Sequence, residues 1–494
     1  MKRLLPLLCC MLMLPLYVAG QGFYNHQWLI GYWPPPYQCG RLEFDSSSYS
    51  YSQEVRKMGF WGTQGNICDA QGNFLMSSNG VWIANANNDT MLNGSGLNPG
   101  YFVNSWPNGL LITNGNLFIP TPGDTSGYTL FHQTEVNSTS TNCNLSYSQI
   151  NRALDGGLGG VISKNNLIID DSLTWGITAC KHANGRDWWI IALKDSSDSV
   201  KISLFTPYGI GPALGYSLHF NPRIYKVVSQ VCFSQTGNLF AFHTYDNAIN
   251  RNSSIILADF DRCLGTFTNT RSVQITSGSY LWGITFSPTC QFLYTNNSNY
   301  IFQINISTFT VDTVAIYDGF SYPIPAAATT FMHEYLAANG KIYLTTGNGT
   351  QHLHEINYPD SAGIACDVQQ HAINLGVWNF RSVPNHPNYN LGPVVGSVCD
   401  TLGVGIPELA HDFRFSIAPN PVSDGWIKLT YLLPLNNAGN LEVYSLTGQK
   451  VYSQTLPPWS TLQFVHLPNL EAGIYTAVIM SRRERSAKKL VVMK

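Results

Sequence analysis

Charge is scarce in this 494-residue chain: 11% of residues are Asp, Glu, Lys or Arg, less than half the share of an average soluble domain. Yet 44% are hydrophobic and 13% aromatic, which excludes disorder for most of the chain, because segments that stay unfolded are poor in both. Long apolar runs are also lacking. Beyond Leu4 to Val18 nothing approaches the roughly 20 residues that cross a bilayer as a helix, so the exported product is expected to carry no transmembrane segment. Cys39, Cys68, Cys143, Cys180, Cys232, Cys263, Cys290, Cys366 and Cys399 contain no Cys-x-x-Cys pair and no metal-ligand spacing, which argues against a zinc site. Gly-x-Ser-x-Gly, His-Glu-x-x-His and P-loop strings are missing, so no catalytic residue, metal or cofactor is assigned.

What is present begins with an address. Lys2 and Arg3 precede the apolar stretch, and Val18-Ala19-Gly20 follows it with the small residues that suit a signal peptidase. Residues 1–20 read as a cleaved signal peptide; Pro6, Pro15 and the short apolar length argue against a membrane anchor. The cysteines left after cleavage are odd in number, so an oxidising compartment leaves at least one thiol over. Their connectivity stays open. Charge is uneven: nine Lys/Arg against five Asp/Glu from His411 to Lys494, a net of +4, leave −8 for residues 21–410 once the +2 of the signal is counted. An acidic body repels phosphate backbones, so no nucleic acid is expected as a partner.

Short runs rich in Tyr, Phe, Ile, Leu and Val alternate with Gly, Asn, Asp and Ser turns, and long amphipathic helices are absent; the chain reads as all-β. A small turn followed by apolar residues recurs at Gly72, Gly127, Gly185, Gly237, Cys290 and Gly340, at intervals of 55, 58, 52, 53 and 50. Such a period holds four short strands, the content of one propeller blade. Val231-Cys232-Phe233-Ser234 and Ile284-Thr285-Phe286-Ser287-Pro288 read as strands entering the turn. A β-propeller of seven blades is favoured, with six or eight as alternatives, and residues 21–405 as its extent. Trp28 to Tyr32 lacks a preceding strand of its own, and the segment near Asn388 to Val395 is expected to supply it. A pair of β-sandwiches or a β-solenoid is the competing architecture.

The strings Ile67-Cys68-Asp69-Ala70-Gln71-Gly72-Asn73-Phe74, Phe286-Ser287-Pro288, Asp259-Phe260-Asp261, Asn339-Gly340-Lys341-Ile342-Tyr343 and Asn388-Tyr389-Asn390-Leu391-Gly392-Pro393 resemble a family of secreted, WD40-like β-propellers of Bacteroidetes-type bacteria. The resemblance covers roughly residues 22–405 and departs at Thr289-Cys290, where the family's turn carries an acidic residue and Gly. It implies a fold more than a function.

After a linker at 406–412 the period stops. Residues 413–494 carry a compact alternating pattern that suits a small immunoglobulin-like β-sandwich. Its marks are Pro419, Asn420 and Pro421, the turn at Gly448, the strand from Gly473 through Tyr475, and a closing strand with Lys488, Leu490 and Val491. These strings, in this order, resemble the type A C-terminal sorting domain of the type IX secretion system. The resemblance implies recognition by that translocon, then removal of the domain and surface attachment or release of the body.

Candidate chemistry is thin. His352 and His354 share one strand face, two ligands where a stable metal site needs more. His182 with Asp187 offers a His–Asp pair, or a hydrogen bond fixing a blade edge. Asp170, Asp171, Asp259 and Asp261 are carboxylates whose spacing alone supports neither calcium nor sugar cleavage. Trp33, Trp61, Trp82, Trp106, Trp175 and Trp282 form either a glycan-stacking platform or inter-blade core. The sequence therefore points to a secreted or surface-attached binding protein, exported through the periplasm, with a protein or polysaccharide ligand. The rival reading is a channel-mouth hydrolase, a lactonase or a glycan-degrading enzyme.

Overall fold

The recurring turns close one kind of hairpin. The computed structural model describes residues 22–32, 37–136, 143–220, 230–245, 253–276, 279–323, 326–381, 383–400, 415–423, 425–431, 433, 438–457, 462–467, 470–481 and 484–493; the signal at 1–20 and the linker at 406–412 lie outside these. Gly72 N–H donates to Asp69 O at 3.0 Å, Gly185 to His182 at 2.9 Å, Gly237 to Ser234 at 2.9 Å, Cys290 to Ser287 at 2.9 Å and Gly340 to Ala337 at 3.0 Å. All five residues have positive φ, between 61° and 88°, the conformation glycine adopts without steric cost. Cys290 takes the same shape with a side chain, at φ 61°, so the departure at Thr289-Cys290 leaves the turn intact. One expectation shifts: Gly127 opens the strand Gly127–Glu135, and the left-handed residue of that turn is Gly123, with φ 73°.

Each turn joins the first two strands of an antiparallel group. The groups run in chain order: Gln27–Ile30, Tyr37–Phe44, Tyr49–Arg56; then Gly65–Cys68, Phe74–Ser78, Trp82–Ala84, Thr90–Ser95; then Asn116–Pro120, Gly127–Glu135, Cys143–Asn151. The 22-residue strand Gly160–Lys181 is shared, pairing early with Cys143–Asn151 and late with Trp188–Lys194. Ser199–Thr206 and Leu214–Ser217 complete that fourth group. A single parallel bridge, Gly160 to Leu92, makes the second to fourth groups one continuous sheet. Three groups follow, opening at Val231–Phe233, Ile284–Phe286 and Phe331–Leu336 and ending at Thr266–Ile275, Val311–Ile316 and Val368–Asn379.

Strand periodicity explains how these groups stack. In Ser253–Asp261, Ile256 and Ala258 join the cluster holding Ile191, Leu193 and Val200 of the preceding group, while Ile255 and Leu257 join Ile284, Phe286 and Leu293 of the next. Successive side chains point to opposite sheet faces, and both faces are buried. The sixth and seventh groups meet through Tyr294, Ile301, Phe331 and Ile342. The order then returns to its start, because Trp28, Ile30 and Leu42 pack with Tyr335, Tyr343 and Ile373. The body is all-β and propeller-like. Each fully buried Phe or Ile adds about 1.5–3 kcal/mol relative to exposure, and no group could hide both faces alone.

The segment near Asn388 to Val395 does not form the missing strand. Pro384, Pro387 and Pro393 lack the N–H that a ladder needs. Instead residues 383–391 run among the first strands of the other groups, tied by side chains. Asn385 Nδ2 donates to Asn114 O at 3.2 Å and Ile177 O at 2.8 Å, His386 bonds Asn66 O at 2.8 Å, and Tyr389 Oη donates to Phe118 O at 2.8 Å. Asn388 Nδ2 reaches Gln235 O at 2.8 Å, and Val394 N–H reaches Ala183 O at 2.8 Å. This axial segment is pinned beyond its end by a disulfide between Cys263 and Cys399.

The chain divides into two compact units, Met1–Gly403 and Val404–Lys494. In the second, Ser416–Ala418, Trp426–Thr430 and Leu462–His466 form one sheet, and Lys450–Leu456, Gly439–Tyr444, Gly473–Ser481 and Glu484–Val492 form another. Ile427, Leu429 and Val465 from the first share a core with Leu441, Val443, Ile479 and Leu490 from the second.

Candidate functional site

The axial segment leaves a cavity of about 80 Å³ lined by Glu334, Gln230, Cys232, Thr285, Asn385 and His386. That is room for a few waters at roughly 30 Å³ each, far below the roughly 300–1,000 Å³ of a ligand pocket. Gln230 stitches three groups together here: its Oε1 accepts Ile284 N–H at 3.2 Å and Glu334 N–H at 3.1 Å, and its Nε2 donates to Glu334 O. Glu334 is fully buried, and burial lifts its carboxyl to about 8 against the opposing donation from Asn296 Nδ2 to Oε1 at 2.6 Å. Its Oε2 has no protein hydrogen-bond partner, nor has His386 Nδ1. A carboxyl that is neutral near pH 7 and an imidazole held to about 4 by burial thus line one small polar void. Two larger hollows open elsewhere on the body, about 520 Å³ beside His26, Glu43 and Asp45, and about 500 Å³ beside Arg262, Cys263 and Val398.

The candidates read from sequence are mostly engaged in structure. The side chains of His182 and Asp187 do not pair, although the main-chain N–H of His182 donates to Asp187 O at 2.8 Å and closes the hairpin: His182 Nε2 bonds Cys263 O at 3.1 Å and its Nδ1 accepts Asn184 N–H at 3.1 Å, while Asp187 is held by Arg186 at 2.7 Å. Asp171 sits between Lys194 and Lys201, each at 3.0 Å, and their donation holds its carboxyl near 2 despite partial burial. Asp259 pairs with Arg271, and Asp261 accepts the amides of Cys263 and Leu264. Asp170 is exposed. His352 and His354 are buried, not exposed; His352 packs against Phe320 and His371, and His354 against Phe331. Among the described residues no group of three or more His, Cys, Asp and Glu is placed to hold a metal ion.

Trp61, Trp106, Trp175 and Trp282 are half-buried in segments that lead into the first strands, at the end of those strands opposite the tight turns. Trp61 lies 6.2 Å from Trp106, 5.3 Å from Tyr32 and 6.5 Å from Phe380 between ring centroids. The indole N–H of Trp175 donates to Glu135 at 3.2 Å, and that of Trp282 to Ser298 at 3.2 Å. Trp82 packs with the core around Phe74, and Trp33 lies outside the described residues.

In the second unit, the marks of the tail converge. Pro419 and Pro421 flank Asn420, and each is preceded by a cis peptide bond. Asn420 Nδ2 donates to Lys489 O at 2.8 Å and its Oδ1 accepts Val491 N–H at 2.9 Å. Val422 N–H then meets Val491 O at 2.8 Å, and Met493 N–H meets Val422 O at 2.7 Å. Leu490 is buried between these contacts, and the Lys488 ammonium lies 5.9 Å from the Phe415 ring. Gly448 turns at φ 81°, and Tyr475, two residues after Gly473, bonds Glu471 O at 2.8 Å. Distant strings of sequence thus meet at one edge of the second unit.

Sequence reasoning missed Glu334, the axial path and the Cys263–Cys399 pair. The density of Pro and Asn between residues 384 and 393 was the available signal for a segment bonded by side chains instead of a ladder.

Residues 416–493 match the model of the secretion system C-terminal sorting domain. The end of the chain is a sorting domain of the type IX kind, and the protein is sorted for export to the cell surface or beyond. No curated protein matches the chain. A functionally unknown protein from Desulfotomaculum acetoxidans is similar at 13% identity and TM-score 0.39, over 73% of this chain and 99% of that one. A putative 6-phosphogluconolactonase from Bacteroides uniformis is similar at 11% and 0.37, over 89% and 99%. The periplasmic gluconolactonase of Pseudomonas aeruginosa is similar at 12% and 0.36, over 90% and 99%. No helix among the described residues is long and apolar enough to cross a membrane.

Proposed function

We propose that the body, residues 21–405, is a seven-bladed β-propeller whose first blade lacks its innermost strand, and that residues 413–494 form an immunoglobulin-like sandwich. The signal at residues 1–20 takes the chain to the periplasm, the type IX translocon carries it across the outer membrane, and the body is displayed or released there. It acts as a non-enzymatic binding protein for a protein or polysaccharide ligand.

The observation that carries this reading is the occupied axis. A hydrolase working at a propeller's channel mouth needs a pocket on the axis, and here Asn385, His386 and Tyr389 bond the first strands where that pocket would open. The carboxylates picked from sequence support it too, since Asp171, Asp187 and Asp259 are held by Lys or Arg. Trp61 and Trp106, 6.2 Å apart between ring centroids, are aromatics of the kind suited to stacking. The test is a glycan array and a pull-down with the purified mature protein, beside assays for lactone and glycan hydrolysis. Binding without turnover is expected. Turnover above background that is lost in Glu334→Gln would favour the hydrolase.

A further inference from the structure

Two residues that line the axial void each hold one polar atom shielded from solvent and without a protein hydrogen-bond partner, Glu334 Oε2 and His386 Nδ1. They come from different parts of the fold, Glu334 from the strand Phe331–Leu336 and His386 from the axial segment. Glu334 is 0% exposed, and its place is built. Its Oε1 accepts Asn296 Nδ2 at 2.6 Å, and Gly283 leaves room for that meeting, because a Cβ there would lie 2.6 Å from both Glu334 Cγ and Asn296 Nδ2. A buried polar atom left unmatched costs its full desolvation penalty, so native folds keep few of them.

The hydrogen positions at the two atoms follow from the bonds already made. His386 Nε2 lies 2.8 Å from Asn66 O, and a carbonyl only accepts. Nε2 therefore carries the hydrogen, and Nδ1 of the neutral ring is an acceptor. No Lys or Arg lines the void to hold Glu334 ionised, and burial keeps its carboxyl neutral near pH 7. With Oε1 taken up as an acceptor, the acid hydrogen sits on Oε2 and makes that atom a donor. The other titratable groups lining the void are neutral too. Burial raises the thiols of Cys180 and Cys232 and the hydroxyl of Tyr335, and Tyr335 Oη is spent on Asn114 Oδ1 at 2.9 Å.

One side of the void thus donates and the other accepts. Water does both, and about 80 Å³ admits a few water molecules but not a drug-sized ligand. We propose that the axial void is a water site, in which ordered water accepts from Glu334 Oε2 and donates to His386 Nδ1. Solvent then joins the seventh strand group to the axial segment, as side chains join that segment to the other groups. This link does not depend on what the body binds outside.

The test uses the mature protein. A high-resolution crystal structure is expected to show water within hydrogen-bond distance of both Oε2 and Nδ1. A void without water density, or one holding an ion or an organic molecule, would overturn the proposal. In solution, the infrared difference between wild type and Glu334→Gln at mildly acidic pH is expected to isolate the C=O band of a hydrogen-bonded carboxylic acid. That band is expected to move to higher frequency in His386→Phe, where the water loses its acceptor. A carboxylate band in its place, or an acid band unmoved by His386→Phe, would also overturn the proposal; if His386→Phe folds poorly, the crystal structure of the wild type decides.

Discussion

Asn420 takes the main-chain N–H of Val491 at 2.9 Å, and on its other side donates to Lys489 O at 2.8 Å. One carboxamide thus stands in for two rungs of a ladder between the start and the end of the sorting domain. Its neighbours Pro419 and Pro421 have no N–H to offer, so the side chain does what the backbone cannot.

Asn420→Ala leaves both partners on the last strand without their bonds. Both bonds are open to solvent, so water replaces them in part and a loss of about 0.5–1.5 kcal/mol per bond is expected. Asn420→Asp keeps the acceptor for Val491 and loses the donor for Lys489, so it is expected to fall between wild type and Ala. Thermal unfolding of the tail, followed by limited proteolysis, checks the order.

Stability should pass through a maximum near pH 7, where the five histidines and the single opposing carboxyl of Glu334 balance. His132, His243 and His354 are held at about 3 by burial, and His333 and His386 at about 4. A histidine depressed in the folded state binds fewer protons there than when unfolded, so its contribution is full above about 6.5 and is lost as the pH falls toward 4 and 3. Glu334 works the other way. Its folded value, raised to about 8 from 4.5, makes the native state the better proton binder, so stability declines as pH rises through that window. Melting temperature against pH should show both limbs, and Glu334→Gln should flatten the alkaline one while leaving the acid one in place. A steep fall from pH 7 to 8 in the variant would contradict this.

Tyr389 anchors the axial segment, with its hydroxyl on Phe118 O and its ring beside Tyr24 at 5.4 Å and Trp188 at 5.9 Å. Tyr389→Ala is expected to cost about 3–5 kcal/mol, as for other large aromatics cut from a packed core. Ile364→Ala, at an exposed position of the same unit, should stay within about 0.5 kcal/mol. Denaturant unfolding of the two variants makes the comparison. Similar midpoints would mean that the axis tolerates an empty centre.

The legible part of this chain was its punctuation. Gly72, Gly185, Gly237 and Gly340 stand at equivalent turns because a left-handed residue is required there, and Cys290 fell into the series by spacing alone. Gly127 misled by four residues, since Gly123 takes the positive φ and both open onto the same apolar run. The axial segment was illegible as an element: Asn385, His386 and Asn388 bond through side chains, which leave no periodic pattern. Glu334 was hidden for a related reason, because a buried carboxyl bonded to Asn296 occupies a strand position that alternation alone would give to any residue. Strand alternation puts His352 and His354 on one face but does not say what covers it, and the paired strands Ser321–Pro323 and Ala326–Ala328 bring Tyr322 beside His352. In the tail, the order of strings identified the domain, while their convergence on Lys489 and Val491 needed three dimensions.

Export through the C-terminal domain is the claim on which the functional account stands, and localisation of a chain ending at Leu409 tests it most directly. Cells making the full-length protein should carry the body on the surface or in the medium. Cells making the truncated chain should hold a folded, protease-resistant body in the periplasm. Truncated protein at the surface in wild-type amount would contradict the account.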